Sequence, residues 1–566
     1  MAIIGIDLGT TNSLVAVYKD DKSVLIPNSF GEYLTPSVVS IDGNNIIVGK
    51  IAKERLITHP SDTTSLFKRK MGTNEKVTLQ KKKYLPEELS AFVIRQLVDD
   101  AKRYLNEEIT EAVISVPAYF DVNQRAATKA AGKLAGIHVE RLINEPSAAA
   151  ISCHTSKEDE TFVVFDFGGG TLDVSVVDCF DNVVSISAVS GDNHLGGSDF
   201  DEVIVQELCR QNNYDYSKLT VSEKESLLRI CEAAKIALQS QDEVTIESHL
   251  MNWQMTLTNQ LLLELSMELF SRIKKPIQQA IYDSDIPSDE ITKFILVGGS
   301  CHMPIVKTYL EELLNVEVVN SKDIDCMVAR GLGKYVGIKE RQDDIKDIVL
   351  TDICPFSLST NIFNENNPSL DLSSILIKRN TILPTSKSGY YHPIKLGQNR
   401  MKLGVYQGEH IYSKDNLELT SLEFKIPVNY KEHEQILVTF TYDINAILAV
   451  EALILSTNKV HRLVYSGNGW VSDVSDKRIN KIKEMTLNKE YNYTLERAQR
   501  IYIESNQETQ VYLSDLMLQY QKIMSSNNLK DQKIKTQEFN QILDQIEAVK
   551  DNLSIFNNDD QGGLLS

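Results

Sequence analysis

Seven cysteines stand singly along the 566-residue chain, at Cys153, Cys179, Cys209, Cys231, Cys301, Cys326 and Cys354, with no C-x-x-C and no paired spacing. That pattern argues against metal or redox roles, and buried free thiols are expected instead. No apolar run reaches the length of a membrane-spanning helix. Lysine and arginine number 59 against 78 acidic residues, for a net charge of -19, and no Lys/Arg-rich block interrupts it. Such a surface repels a phosphate backbone at long range, which argues against nucleic acid as a partner. Residues 1–7 enter a strand pattern directly, without the charged region and apolar stretch of a signal peptide, so a cytoplasmic protein is expected. No G-x-x-x-x-G-K-[ST] sequence occurs, which excludes a phosphate site made by one loop ahead of a helix.

What is present is one grammar used twice. Residues 4–17 read as a hairpin whose turn carries Asp7, Gly9, Thr10, Thr11 and Asn12, and residues 162–177 repeat it with Asp166, Gly168, Gly169, Gly170, Thr171 and Asp173. Gly9 permits close approach to backbone, and amides and hydroxyls at such a bend converge as phosphate donors. If the two turns face each other, Asp7 and Asp166 flank one cation while both turns clamp a polyphosphate.

Between the hairpins, Lys68-Arg69-Lys70 is a cationic run in an acidic chain, and apolar spacing predicts helices over 85–105 and 122–135. Pro117 stops a buried strand, and Glu145 follows another, at the carboxyl end where open α/β sheets place ligands. Residues 191–199, with Gly196 and Gly197, read as a loop. A helix over 227–238 sets Glu232 and Lys235 one turn apart, and the strand ending at Val297 opens into Gly298 and Gly299. Around 347–352 the character changes from alternating strands and helices to short strands broken by turns, as in a β-sandwich, over about 354–474. The last ninety or so residues lack such strands, and Phe539, Ile542, Leu543, Ile546, Val549, Leu553 and Phe556 form a helical stripe.

These stretches together resemble the DnaK-type heat-shock chaperones, from residue 1 to about 455. Residues 4–13, Val116-Pro117-Ala118-Tyr119-Phe120, Ile143-Asn144-Glu145-Pro146, 166–171, 191–197 and Val297-Gly298-Gly299 match in order. Total length, and Asn380-Thr381-Ile382-Leu383-Pro384-Thr385 leading to Tyr406-Gln407-Gly408-Glu409, are most similar to the HscC branch. The resemblance implies a multidomain chain: an actin-like (ribonuclease H-like) α/β ATPase domain of two lobes at 1–346, a linker at 347–352, a β-sandwich peptide-binding domain at 353–475 and a short helical lid and tail at 476–566. It implies ATP/ADP with Mg2+, and K+ as a further ion. Lys68, Glu145, Thr171 and Asp173 would be catalytic, Asp7 and Asp166 would hold the metal, and both turns with Gly196, Gly197, Glu232, Lys235, Gly298, Gly299 and His302 would hold the nucleotide. Tyr391, Ile394, Met401, Leu403 and Val405 would line a peptide groove. Pro117, Arg125, Ile348, Val349, Leu350 and Asp352 would couple the domains, and Arg141 with Asn144 would meet a J-domain cochaperone.

The chain also departs from its relatives. Ile236 and His302 stand where the family usually has two arginines that sandwich adenine. The stretch after Lys235 is shortened, which weakens the case for a family exchange factor. The function expected is an ATP-dependent chaperone for extended apolar peptide segments, with a role in stress response. The competing readings are an actin-like small-molecule kinase or filament protein, and a holding chaperone with little ATP turnover. A kinase has no use for a linker feeding a peptide-grooved sandwich.

Overall fold

The computed structural model describes residues 2–153, 159–287, 289–314, 317–319, 323–342, 345, 348–365, 367, 369–444, 447–467, 474–488, 491–525 and 528–552. Two mixed six-stranded sheets are built alike. In the first, Ala2–Asp7 lies between its antiparallel hairpin partner Asn12–Lys19 and the parallel Ile109–Val116, with Lys22–Ile26 and His138–Asn144 outside them. In the second, Glu160–Phe167 takes the same place between antiparallel Leu172–Phe180 and parallel Ile291–Val297, flanked by Val183–Asp192 and Glu317–Val319. Parallel neighbours need crossovers, which helices Pro86–Leu105 and Val122–Ala135 supply in the first lobe.

Local signals set these helices. Pro86 opens one, and Glu88 reaches back to accept from the Leu85 amide at 3.0 Å. Asp121 and Gln124 exchange bonds of 2.8 and 2.9 Å across the start of the other, and Gly136 at φ 89° ends it. Between the lobes, Ala148, Ala149 and Ala150 of helix Glu145–Cys153 pack with Leu332 and Val336 of helix Met327–Lys339 in a cluster that draws residues from both sheets. Small residues allow that crossing: a Cβ on Gly331 would sit 1.7 Å from the Ala148 carbonyl oxygen.

The linker is a strand. Val349–Thr351 pairs in parallel with Val183, Val184 and Ser185 as the sixth strand of the second sheet, with Ile348 and Leu350 packed inward and Val349 exposed. Asp347 lies outside the described residues. Beyond it, two four-stranded antiparallel sheets form a sandwich. One orders Leu372–Ile377, Leu358–Ile362, Arg400–Gln407 and Leu417–Lys425; the other orders Thr385–Tyr391, Ile436–Tyr442, Leu448–Ile454 and Lys459–Tyr465. Val122 of the first lobe joins the sandwich core, and Tyr465 donates to Asn123 at 2.6 Å.

Helices Asp476–Lys483, Tyr493–Ile503, Gln507–Met524 and Leu529–Asn552 end the described chain. Phe539 and Leu543 are buried in their core with Ala498, Ile501, Leu513 and Tyr520, while Ile546 packs at its edge. The side chain of Val549, and Leu553 and Phe556, lie outside the description. Among the described residues no helix is long and apolar enough to cross a membrane.

The structure corrects three sequence expectations. Residues 191–199 are mostly regular, since Val183–Asp192 runs through their start and helix Gly197–Gln211 begins before their end. The helix expected at 227–238 starts at Val221, where Thr220 and Glu223 form a reciprocal cap. A two-residue strand, Thr486–Leu487, interrupts the helical end and pairs with Asn45 and Ile46.

The Gly331–Ala148 contact is with rigid backbone, so Gly331→Ala overpacks the lobe junction and is expected to cost about 1–3 kcal/mol or more. Thermal unfolding checks this, and an unchanged midpoint would contradict the close approach.

Candidate functional site

The first turn is braced from behind. The Gly9 amide donates to Ser13 Oγ at 3.2 Å, Ser13 and Ser37 share a 2.8 Å bond, and the Ser37 hydroxyl donates to the Gly9 carbonyl at 2.8 Å. A Cβ on Gly9 would stand 1.9 Å from the Asn12 carbonyl oxygen, so this bend admits glycine alone. In the second lobe, the Gly168 amide donates to the Thr171 carbonyl, and the Gly197 and Ser198 amides donate to the Gly168 and Gly169 carbonyls, each at 3.0 Å.

The two turns meet face to face. A Cβ on Gly169 would lie 1.8 Å from Thr11 Oγ1, and one on Gly170 would lie 2.4 Å from Thr10 Cγ2. Gly9, Thr10, Thr11, Asn12, Gly168, Gly169 and Thr171 line one cavity of about 330 Å³ together with Asp7, Lys68, Glu145 and Asp166. Gly170 and Gly196 stand behind its surface. The Gly170 carbonyl accepts from Arg69 Nε at 3.1 Å, and the Gly196 amide donates to Asp199 at 2.7 Å. Arg69 then pairs with Asp199 at 2.6 Å, which ties the lobes beside the phosphate turns. Arg69 was visible in the sequence as the middle of the cationic run; Ser37, Ser115, Asp199 and Asp201 carried no signal there.

Charge is concentrated in this cavity. Buried Lys68 donates to Glu145 at 3.1 Å, and Ser115 donates to Asp7 at 2.7 Å. Burial, and then the Glu145 charge, push Asp7 and Asp173 up to about 7. Asp166 is raised by burial and by the neighbouring Glu145, Asp173 and Asp7 charges. Thr11 Oγ1 and Asp173 Oδ2 are buried without a hydrogen-bond partner. Crowded carboxylates and orphaned oxygens suit a hydrated divalent cation. Among the described residues no group of three or more His, Cys, Asp or Glu is disposed to ligate an ion directly, so water and phosphate would complete its shell.

At the far end, Lys235 pairs with Asp201 at 2.6 Å and donates to the Gly197 carbonyl at 2.9 Å, while burial raises Asp201 to about 6 against the pull of Lys235. Glu232 reaches across the mouth to Lys53 at 3.0 Å. Gly298, Gly299, Met303, Ile324, Val328 and half-exposed Ile236 line the wall. His302 stands beside this wall, its Nε2 3.0 Å from Asp325, which lines the cavity.

Wiring runs outward from the carboxylates. Asp173 accepts from the Tyr119 amide at 3.0 Å, and the Tyr119 ring meets Phe356 at 4.4 Å between centroids. Buried Pro117 starts that turn, its carbonyl accepting from the Phe120 amide at 3.2 Å. Arg125 donates to the Ala118 and Phe120 carbonyls at 3.0 and 3.1 Å and to Asn144 at 2.7 Å. Asn144 and Ser147 both donate to Asp352, at 2.9 and 2.6 Å. Asn144 is only 3% exposed, so it is a buried linker contact and not a docking surface as expected. Arg141 donates to the Tyr335 hydroxyl at 2.6 Å.

In the sandwich, Leu403 and Val405 are also corrected. Strand alternation turns both into the core, where they are at most 1% exposed. Met401 packs at the edge of that core, the Tyr391 hydroxyl bonds Ser374 at 2.9 Å, and Ile394 is exposed with Tyr390, Leu396 and Tyr430.

Facing hairpin turns, a buried lysine among carboxylates and an attached β-sandwich define a two-lobed phosphate-binding protein with a second module wired to its cleft. The family model described as Hsp70 protein matches residues 3–561, and the chain belongs to the Hsp70 family. Members of that family are ATP-dependent chaperones, hydrolyse ATP, bind ATP or ADP with Mg2+ and bind unfolded polypeptides.

Asp7 and Asp173 titrate above their unfolded values, so their contribution to stability is full below about pH 4 and is lost as pH rises through about 7. A bound divalent cation favours the ionised forms. Binding of Mg2+-nucleotide is therefore expected to release protons near pH 7, and to stop doing so by about pH 9. Calorimetry in two buffers of different ionisation heat measures this, and proton uptake near pH 7 would contradict it.

Proposed function

We propose that this chain binds extended apolar segments of unfolded polypeptides in its β-sandwich and releases them under control of ATP binding and hydrolysis, as a protein similar to the HscC branch. The observation that carries this reading is the pair of bonds from Asn144 and Ser147 to Asp352. The same short segment holds Glu145 in the cleft, so a shift of the carboxylate that meets Lys68 moves the anchor of the linker.

Within this reading, Thr10, Thr11, Asn12, Gly168, Gly169 and Thr171 receive the phosphates on amides and hydroxyls, and Asp7 and Asp166 hold Mg2+ through its water. Bound Mg2+ neutralises phosphate charge. Lys68 stabilises the transferred phosphoryl group, while Glu145 and Asp173 orient the attacking water. Lys235 and Glu232 hold the nucleoside end. Exposed apolar side chains at Tyr390, Ile394, Leu396 and Tyr430, with Tyr391 and Met401 beneath, suit an extended segment whose backbone gives affinity while a pocket selects a side chain. A cytoplasmic setting, a J-domain cochaperone reached from the Arg141 side, and K+ in the cleft complete the proposal.

Lys68→Ala and Thr171→Ala are each expected to slow single-turnover hydrolysis by about a hundred-fold, about 3 kcal/mol, with the fold intact. Unchanged rates would remove these residues from the site.

The function itself is tested by ATP-driven release of a fluorescent peptide from the full chain. ATP should accelerate release in the wild type and not in the Val349→Asp, Leu350→Asp double variant, because a charge at the inward-packed position of Leu350 cannot dock without a desolvation cost. Release indifferent to ATP in the wild type would overturn the proposal.

A further inference from the structure

An antiparallel sheet with one face on a core carries polar side chains on the other, and the second sheet of the sandwich departs from this along one row. Register sets the row: Tyr390 lies opposite Leu437, Leu437 opposite Leu453, and Leu453 opposite Val460. Strand alternation turns all four away from the core, since their chain neighbours Ile436, Val438, Ala452 and Ile454 are buried in it. Tyr390 is 70% exposed and Val460 53%, with Leu437 and Leu453 half-buried between them. Each of the four strands thus sets an apolar side chain on one line along the outer face.

The second outward row is Ser388, Thr439, Glu451 and Arg462, in which Ser388 and Thr439 share a 2.8 Å bond and Arg462 pairs with Glu451 at 3.2 Å. This face is complementary to itself. Sheets that pack face to face keep their strand directions within about 30°, and a two-fold axis parallel to the strands, between Ile436–Tyr442 and Leu448–Ile454, lays each row on the same row of a second copy in reverse order. Tyr390 then lies over Val460 and Leu437 over Leu453, so the largest side chain of the row meets the smallest. In the second row Glu451 lies over Thr439 and Arg462 over Ser388. Every charge meets a hydroxyl, and none meets its like.

We propose that this outer face of the sandwich is an interaction surface whose partner is a second copy of the chain, joined through a two-fold interface centred on Leu437 and Leu453. Removing the apolar row from water drives the association, and the flanking hydroxyls and charges fix its direction. Two copies joined in this way carry two client surfaces, so one unfolded polypeptide is held at two segments. That consequence rests on the peptide-binding reading, whereas the interface does not. Tyr390 also borders the client surface, so Val460 is the side chain that probes the interface by itself.

The test is sedimentation equilibrium of the full chain over a micromolar concentration range, in which the wild type should pass from monomer to dimer. Val460→Glu and Tyr390→Lys each place an unpaired charge in the interface twice, and each should raise the dissociation constant about a hundred-fold. Both positions are more than half exposed, so the fold tolerates the change and the thermal midpoints should match the wild type. An equimolar mixture of the two variants should recover dimer, because the introduced glutamate of one copy then faces the introduced lysine of the other while the remaining half of the interface is unaltered. A wild type that stays monomeric throughout would overturn the proposal. Dimer that persists in Val460→Glu, or a mixture that forms no more dimer than either variant alone, would overturn it as well. Loss of ATP-driven peptide release in the wild type would instead count against the client reading and leave the interface standing.

Discussion

Three buried carboxylates, Glu145, Asp166 and Asp173, and half-buried Asp7 stand around the ammonium of Lys68. Buried charge of one sign is tolerated only when a counter-charge is supplied, and Lys68 supplies a quarter of what these groups need when ionised. The remainder is a standing demand for a cation, and a cation brought in with phosphates meets it. Each carboxylate arrives on a different element, so a change in their charge balance is felt at the ends of several strands at once. Asp173 grips the Tyr119 turn, and Glu145 sits beside Asn144. Both neighbours touch the material that leads to the sandwich, so an electrostatic event in the cleft has a mechanical path outward.

Close packing makes that path stiff. The linker strand extends a sheet whose middle strand carries Asp166, and the lobes cross at helices so tightly apposed that one added methyl at Gly331 would collide with backbone. Interfaces of this density move between discrete arrangements and do not deform smoothly. On the outside, the sandwich leans on the first lobe through Val122 and on the second through the 2.7 Å pair between Arg379 and Asp283.

Much of this was legible in the sequence because it is written locally. The repeated strand, aspartate and glycine turn announced both halves of the cleft, and short strand-like runs broken by turns announced the sandwich. The helix caps at Asp121 and Thr220 were equally local, though only the first boundary was read correctly. What stayed hidden depends on distant segments meeting. Ser37 and Asp201 gain their places only when segments distant in sequence meet, at Ser13 and Lys235, and Asn144 looked like surface because its partner lies 208 residues away at Asp352. Leu403 and Val405 looked like groove because resemblance carries a role but not the depth of a side chain in this particular core.

The central claim is that the cleft and the sandwich are joined through a linker strand that docks when the cleft is occupied by ATP. Hydrogen exchange of the full chain reads this at the amides of Val349 and Thr351, which face the neighbouring strand, the first of them donating to the Asn182 carbonyl at 2.8 Å in the docked arrangement. With Mg2+-ATP these amides should be strongly protected, and with Mg2+-ADP they should exchange at rates near those of an exposed strand. Equal protection in the two states would contradict the account.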